Sequence, residues 1–203
     1  MKYFPIMISL SVLSVYSLAK ADSPLARIAP APEVKLIDAE GEPFDLSKLR
    51  GKAVLVSFVY TTCNGSCPLT SAAMAQCRDA LEKDGLWGTK VEFVSISLDP
   101  AHDTSEVLKM YAKIYDARPE SWHFLTGPTD RVDRVVASWG MWARKNAMGV
   151  LDHPSRVFLV DPNGVQREIY SLEFLTPDAV VADVHGLLEE RSPVRHPARG
   201  NGP

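Results

Sequence analysis

Ala53-Val-Leu-Val-Ser-Phe-Val-Tyr60-Thr-Thr-Cys63-Asn-Gly-Ser-Cys67-Pro68 is the stretch on which the fold turns. From Ala53 to Tyr60 the chain is almost unbroken apolar, the pattern of a strand buried on both faces. Cys63 then lies just past the carboxyl end of that strand, the edge of an α/β sheet where ligands and reacting groups gather. Pro68 suits the first position of a helix, so Cys67 is the expected N-cap of a helix over 68–83, closed near Gly85. Both sulfurs are therefore expected at a helix N-terminus, whose unpaired N–H groups favour thiolate and lower a thiol pKa. Gly65 allows a tight loop, so the sulfurs can converge on one ion or on each other as a disulfide.

Outward from this stretch, strands and helices alternate. Glu33 to Asp38 reads as a short strand before a turn at Glu40-Gly41, and Val91 to Leu98 as a second buried strand. Asp103 is expected to cap a helix running to Tyr115, with Glu106 as its capping-box partner. A short strand at Trp122–Leu125 precedes a helix over Thr129–Trp139. Val157–Val160 and Val165–Tyr170 flank the turn Asp161-Pro-Asn-Gly164, and an amphipathic helix over Asp178–Glu190 closes the pattern. This order predicts the α/β class, with a mixed sheet flanked by helices in a single domain over 33–190.

The ends read differently. Residues 1–21 hold Lys2, a short apolar run from Phe4 to Leu18, and Ala19-Lys20-Ala21, a small-x-small cleavage site. That is the pattern of a secretory signal peptide; an uncleaved anchor is the alternative. Cleavage removes two lysines and no acid, and places the chain in an oxidising compartment where disulfides persist. Residues 22–32 carry three prolines and read as a tether. Residues 191–203 read as a disordered tail by composition. With 22 Lys plus Arg against 25 Asp plus Glu and no basic run, the 203-residue chain has no electrostatic footprint for nucleic acid. At 46% hydrophobic and 23% charged, it is globular in composition.

The other sulfur and the imidazoles sort by position. Cys77 shares a helical stripe with Leu69, Ala73 and Ala80, so it is expected as a buried free thiol. Two thiolates near each other are soft ligands suited to Cu(I) and Zn, and an added imidazole suits Cu(II) as well. His196 falls in the tail, His185 in the last helix and His123 beside Trp122. His102 lies in a loop after a strand and could approach the cysteines. His153, in Leu151-Asp-His-Pro-Ser155, enters the buried strand Val157–Val160. In a thioredoxin-like sheet the loop entering that strand packs against the cysteine loop, which favours His153 as the partner of the cysteines.

Three blocks in order, Cys63-x-x-x-Cys67-Pro68, Ser97-Leu-Asp-Pro-Ala-His-Asp-Thr104, and Asp152-His153 followed by Phe158-Leu-Val-Asp-Pro-Asn-Gly164, resemble the Sco/SenC family of copper chaperones. The resemblance implies a thioredoxin fold and one copper, as Cu(I) or Cu(II), held by Cys63, Cys67 and His153. It favours a periplasmic or extracytoplasmic metallochaperone and leaves thiol–disulfide reductase activity open. Such a protein delivers copper to the dinuclear copper centre of cytochrome c oxidase, or maintains that centre's thiols. The partner it implies is the copper-bearing oxidase subunit or another periplasmic copper protein. Asp99 and Asp103 match the family's acidic loop. Asn64-Gly65-Ser66 and Pro154 depart from the usual family residues and leave room for a shifted copper affinity or redox potential. The main rival is a thiol–disulfide oxidoreductase with Cys63 as attacking thiolate and Cys67 resolving. Its usual spacing is two residues rather than three, and it has no need of His153.

Overall fold

A computed structural model describes residues 25–147 and 150–190. The expected signal peptide over 1–21 and the tail over 191–203 lie outside the described residues.

The central strand, β4, is Ala53–Val59, preceded by β1 (Ala29–Pro30), β2 (Lys35–Asp38), β3 (Pro43–Asp45) and a 3-10 turn at Leu46–Leu49. After it come α1 (Ser66–Lys83), β5 (Val91–Ser97), α2 (Ser105–Ile114), β6 (Trp122–Thr126) and α3 (Thr129–Ser138). A small hairpin, β7 (Arg144–Lys145) and β8 (Leu151–Asp152), leads into β9 (Val157–Val160), β10 (Val165–Tyr170) and α4 (Pro177–Glu189). Eight strands form one sheet in the order β1-β10-β9-β4-β5-β6-β2-β3. β4, β5 and β6 are parallel, while β9 runs antiparallel to β4, so the sheet is mixed as expected. α1 packs on α4, α2 on β6 and α3 on β5. This is the thioredoxin-like arrangement, with β4 and α1 carrying the cysteines and β9 fed by the loop of His153.

β4 is buried at every residue, as its apolar run requires. β5 is buried throughout although it carries Glu92, Ser95 and Ser97. Each of these polar groups has a partner, as burial demands. Ser95 Oγ lies 2.8 Å from Ser57 Oγ and accepts from Trp122 Nε1 at 3.0 Å. Glu92 meets His123 at 2.8 Å and is also paired with Lys52. Ser97 donates to Asp103 at 2.7 Å.

Four expectations need correction. The helix after the cysteine loop starts earlier than proline placement suggested: Gly65 is its N-cap, and Cys67 lies inside the first turn. The cap of α2 is Thr104, whose hydroxyl accepts from Val107 N–H at 3.3 Å; Asp103 is fully buried and bonded elsewhere. The segment 25–32, read as a tether, joins the fold: Ala29 and Pro30 pair with β10, and Arg167 donates to the Leu25 and Ala26 carbonyls. Cys77 is buried, but its stripe is Thr70, Met74 and Leu81, whereas Leu69 faces solvent.

Candidate metal centre

The centre forms because β4 ends in a tight loop that returns at once as α1. Cys63 N–H donates to the Tyr60 carbonyl at 3.2 Å, closing the first turn after the strand. A second set of bonds fixes that turn from the neighbouring strand. The Asp103 carboxylate accepts from Thr61 N–H at 3.2 Å, from Thr61 Oγ1 at 2.6 Å and from Ser97 Oγ. Loss of the helix-cap role thus leaves Asp103 with a different one, holding the base of the cysteine loop. On the other side Thr70 Oγ1 lies 3.2 Å from Ser155 Oγ and ties α1 to the loop of His153.

Cys63 is half-buried, Cys67 is buried and His153 is half-buried. One ligand atom from each of the three lies within 4.8 Å of the others. Cys67 Sγ and His153 Nε2 are 3.4 Å apart. His153 Nδ1 donates to the Pro154 carbonyl at 2.9 Å, since a carbonyl can only accept. That bond puts the imidazole proton on Nδ1 and leaves the Nε2 lone pair facing the sulfurs, the orientation a metal-binding histidine needs.

The two sulfurs are not equivalent. Burial pushes the Cys63 thiol up, but the backbone N–H groups of Cys67 and Gly65, with the Cys67 and Tyr60 side chains, outweigh it, and the pKa falls below the ordinary thiol value. Gly65 N–H reaches the Cys63 sulfur at 3.4 Å. Gly65 has a negative φ, so its N–H contributes here rather than left-handed freedom. Cys67 goes the other way: burial and its neighbour Cys63 hold it well above the ordinary value. The sequence expectation that a helix N-terminus would favour both thiolates therefore holds for Cys63 alone. All three cysteines are free thiols, and Cys77 takes no part in the centre.

The remaining histidines fall elsewhere. His102 is half-exposed, with Nδ1 3.4 Å from both Thr61 Oγ1 and Asp103 Oδ1. His123 pairs with Glu92 and packs on Phe44, and His185 meets Asp84 at 3.0 Å. Asp99 lines a cavity of about 180 Å3 beside the cysteine loop, with Tyr60, Asn64, Lys145 and Val150 among its walls. The β7–β8 hairpin that forms one side of this cavity carries too few residues to leave a periodic signal. Tyr60 was legible only as the end of a strand, yet its ring packs edge-on to His153 with centroids 5.6 Å apart.

The SCO1/SenC family model matches residues 26–189. A SCO1 protein homolog of Bacillus subtilis is 28% identical over 149 residues, covering 71% of this chain and 76% of that one. The structure of Bradyrhizobium japonicum ScoI with copper bound superposes with a TM-score of 0.68 at 27% identity, over 79% of this chain and 100% of that one. BsSco, described as a member of the Sco family of cytochrome c oxidase assembly proteins and as carrying a disulfide switch, superposes with a TM-score of 0.69 at 25% identity. It covers 84% of this chain and 98% of its own.

Proposed function

This chain belongs to the SCO1/SenC family, and from that premise we propose that it is a periplasmic copper chaperone. Copper is its cargo, held one ion per chain by Cys63, Cys67 and His153. The observation that carries this reading is the convergence of two sulfurs and the His153 imidazole within 4.8 Å of one another. Two thiolates satisfy a soft ion such as Cu(I), and the imidazole extends the set toward Cu(II). The receiving site in this reading is the dinuclear copper centre of cytochrome c oxidase; the copper-bound and oxidase-assembly relatives support that choice. Cys63, half-open and low in pKa, is the sulfur an incoming thiol ligand reaches first, and Cys67 holds the ion from beneath.

The same asymmetry favours a second reading, maintenance of the partner's thiols. Cys63 thiolate attacks a partner disulfide, one partner sulfur leaves as thiolate, and a mixed disulfide forms. Cys67 then gives up its proton and attacks the Cys63 sulfur. The second partner thiolate leaves, a Cys63–Cys67 disulfide remains, and two electrons have passed to the partner. The low-pKa, accessible attacker and buried resolver are the features that support it.

Copper titration of the reduced protein tests the chaperone reading. It should saturate at one ion per chain, with an intense sulfur-to-copper charge-transfer band for Cu(II). Cys63→Ser should abolish both the band and the stoichiometric uptake. A band and stoichiometry unchanged in Cys63→Ser would place the site elsewhere, and no band in the wild type would leave the thiol-reductase reading standing.

A further inference from the structure

Tyr60 packs on the candidate ligand His153, and the copper-binding reading gives it nothing to do. It is 4% exposed and follows the last residue of β4. Its ring stands edge-on to the His153 imidazole at an interplanar angle of 85°. Its hydroxyl donates at 3.1 Å to the carbonyl of Leu151, in the strand β8 that leads into His153. No other aromatic ring packs on His153 among the described residues.

We propose that Tyr60 is a positioning residue of the metal centre, whose ring holds the His153 imidazole and whose hydroxyl ties the end of β4 to the strand leading into His153. The inference rests on the copper-binding reading above. The need for such a residue follows from the topology. Cys63 sits in the loop after β4 and Cys67 in the first turn of α1, whereas His153 arrives from a different part of the chain, through a short hairpin and an irregular loop. Its own Nδ1 bond goes to the next residue, so it fixes the tautomer but does not fix the loop. The Leu151 carbonyl anchors the loop two residues before the ligand, and the edge-on ring limits rotation of the imidazole. A phenylalanine at position 60 would keep the ring and lose the anchor.

Substitution separates the anchor from the ring. Loss of an outer partner of a ligand costs about tenfold to a hundredfold in metal affinity. Since His153 matters mainly to Cu(II), the loss should fall on Cu(II).

The experiment compares wild type, Tyr60→Phe and Tyr60→Leu in the full chain, by Cu(II) and Cu(I) titration with absorption spectra. NMR of the His153 ring protons in the copper-free protein is recorded alongside. Tyr60→Phe should still bind one copper, with Cu(II) affinity down about tenfold while Cu(I) changes little. Tyr60→Leu should weaken Cu(II) further and remove the ring-current shift on His153 that Tyr60→Phe retains. An unchanged Cu(II) affinity in both variants would overturn the proposal. So would equal losses of Cu(I) and Cu(II) accompanied by a lowered melting temperature, which would make Tyr60 a fold residue only. A wild type with no band while its His153 ring shift persists would overturn the copper reading and this inference with it. A normal wild type beside indifferent variants would overturn this inference alone.

Discussion

The cysteine loop and the surroundings of Arg167 are both dense clusters of polar groups, and they are built on opposite plans. Arg167 is buried, and its guanidinium donors meet acceptors: Nε the Ala26 carbonyl, one terminal nitrogen Asp161 at 3.1 Å and Glu190 at 2.7 Å, the other the Leu25 carbonyl and Glu190. Asp161 also accepts from the N–H groups of Asn163 and Val165, both at 2.9 Å. Donor and acceptor are matched, and a cation placed there would find its acceptors taken. At the cysteine loop, two sulfurs and an imidazole nitrogen face one another, and all three are electron-pair donors toward a metal. The lesson reaches His123 as well: with Glu92 and Lys52 it forms a matched set of donors and acceptors, so its neighbourhood resembles that of Arg167. Matched clusters hold the fold. Clusters of like donors wait for a cation.

Arg167→Ala gives this contrast its hardest test. Removing one partner of a buried charged set leaves Asp161, 2% exposed, with Arg27 at 3.6 Å as its remaining cation among the described residues. Breaking a buried pair in this way costs about 3–5 kcal/mol. The variant should unfold at markedly lower urea concentration. At a temperature where it is still folded, its copper stoichiometry and charge-transfer band should match the wild type. A band that moved with Arg167 would mean the two clusters are coupled, and a loss under about 1 kcal/mol would show that the guanidinium bonds are not what holds residues 25–26 and 190 in place.

His153→Ala is the reciprocal change, made on the side of like donors. It removes one of three electron-pair donors and leaves no buried charge behind, so stability should change little. The effect should appear in binding. Cu(II) affinity should fall by at least about tenfold to a hundredfold, the cost of losing even an outer partner of a metal ligand. Cu(I) should change much less, because two thiolates satisfy it. Competition titrations with chelators specific for each oxidation state measure the difference. Equal loss of both ions would make His153 structural.

How far the sequence carried these distinctions depends on the distance over which each feature is encoded. β4, β9 and β10 were legible because each is a local run with its own turn signals, and the observed bounds of β9 and β10 match the expected ones. Cys63, Cys67 and His153 could be grouped because two blocks and the order of strands brought them to one sheet edge. The matched partners were not legible. Arg167 meets residues more than 140 positions earlier, and Asp103 looked like a helix cap because its neighbour Thr104 occupies that role one residue on. Segment 25–32 looked like a tether because its prolines mask a two-residue edge pairing. The unequal thiols were hidden too: one helix N-terminus predicts a shared effect, and only burial separates them.

Cys77 offers the mildest test of the contrast, since it is a sulfur that belongs to neither cluster. It is fully buried, and burial pushes its thiol pKa from 9.0 to about 12. A pKa raised by folding means that the unfolded chain releases its proton first. The stability Cys77 contributes is therefore fully present below pH 9 and is lost as pH climbs from there toward about 12. Cys67 titrates in the same direction, so the wild type alone cannot assign the slope. The difference between wild type and Cys77→Ala can. Below pH 9 their unfolding free energies should run parallel, with the wild type higher because the sulfur fills its core position. Between pH 9 and pH 10 the wild type should lose about 1 kcal/mol relative to the variant, the fraction of the full shift titrated over that interval. Urea unfolding of the reduced, copper-free proteins at half-unit pH steps measures it. Curves that stay parallel to pH 10 would mean that Cys77 ionises in the folded protein as readily as in the unfolded chain. Copper binding at neutral pH should be the same in both, because a thiol packed against Met74 and Leu81 has no part in the centre.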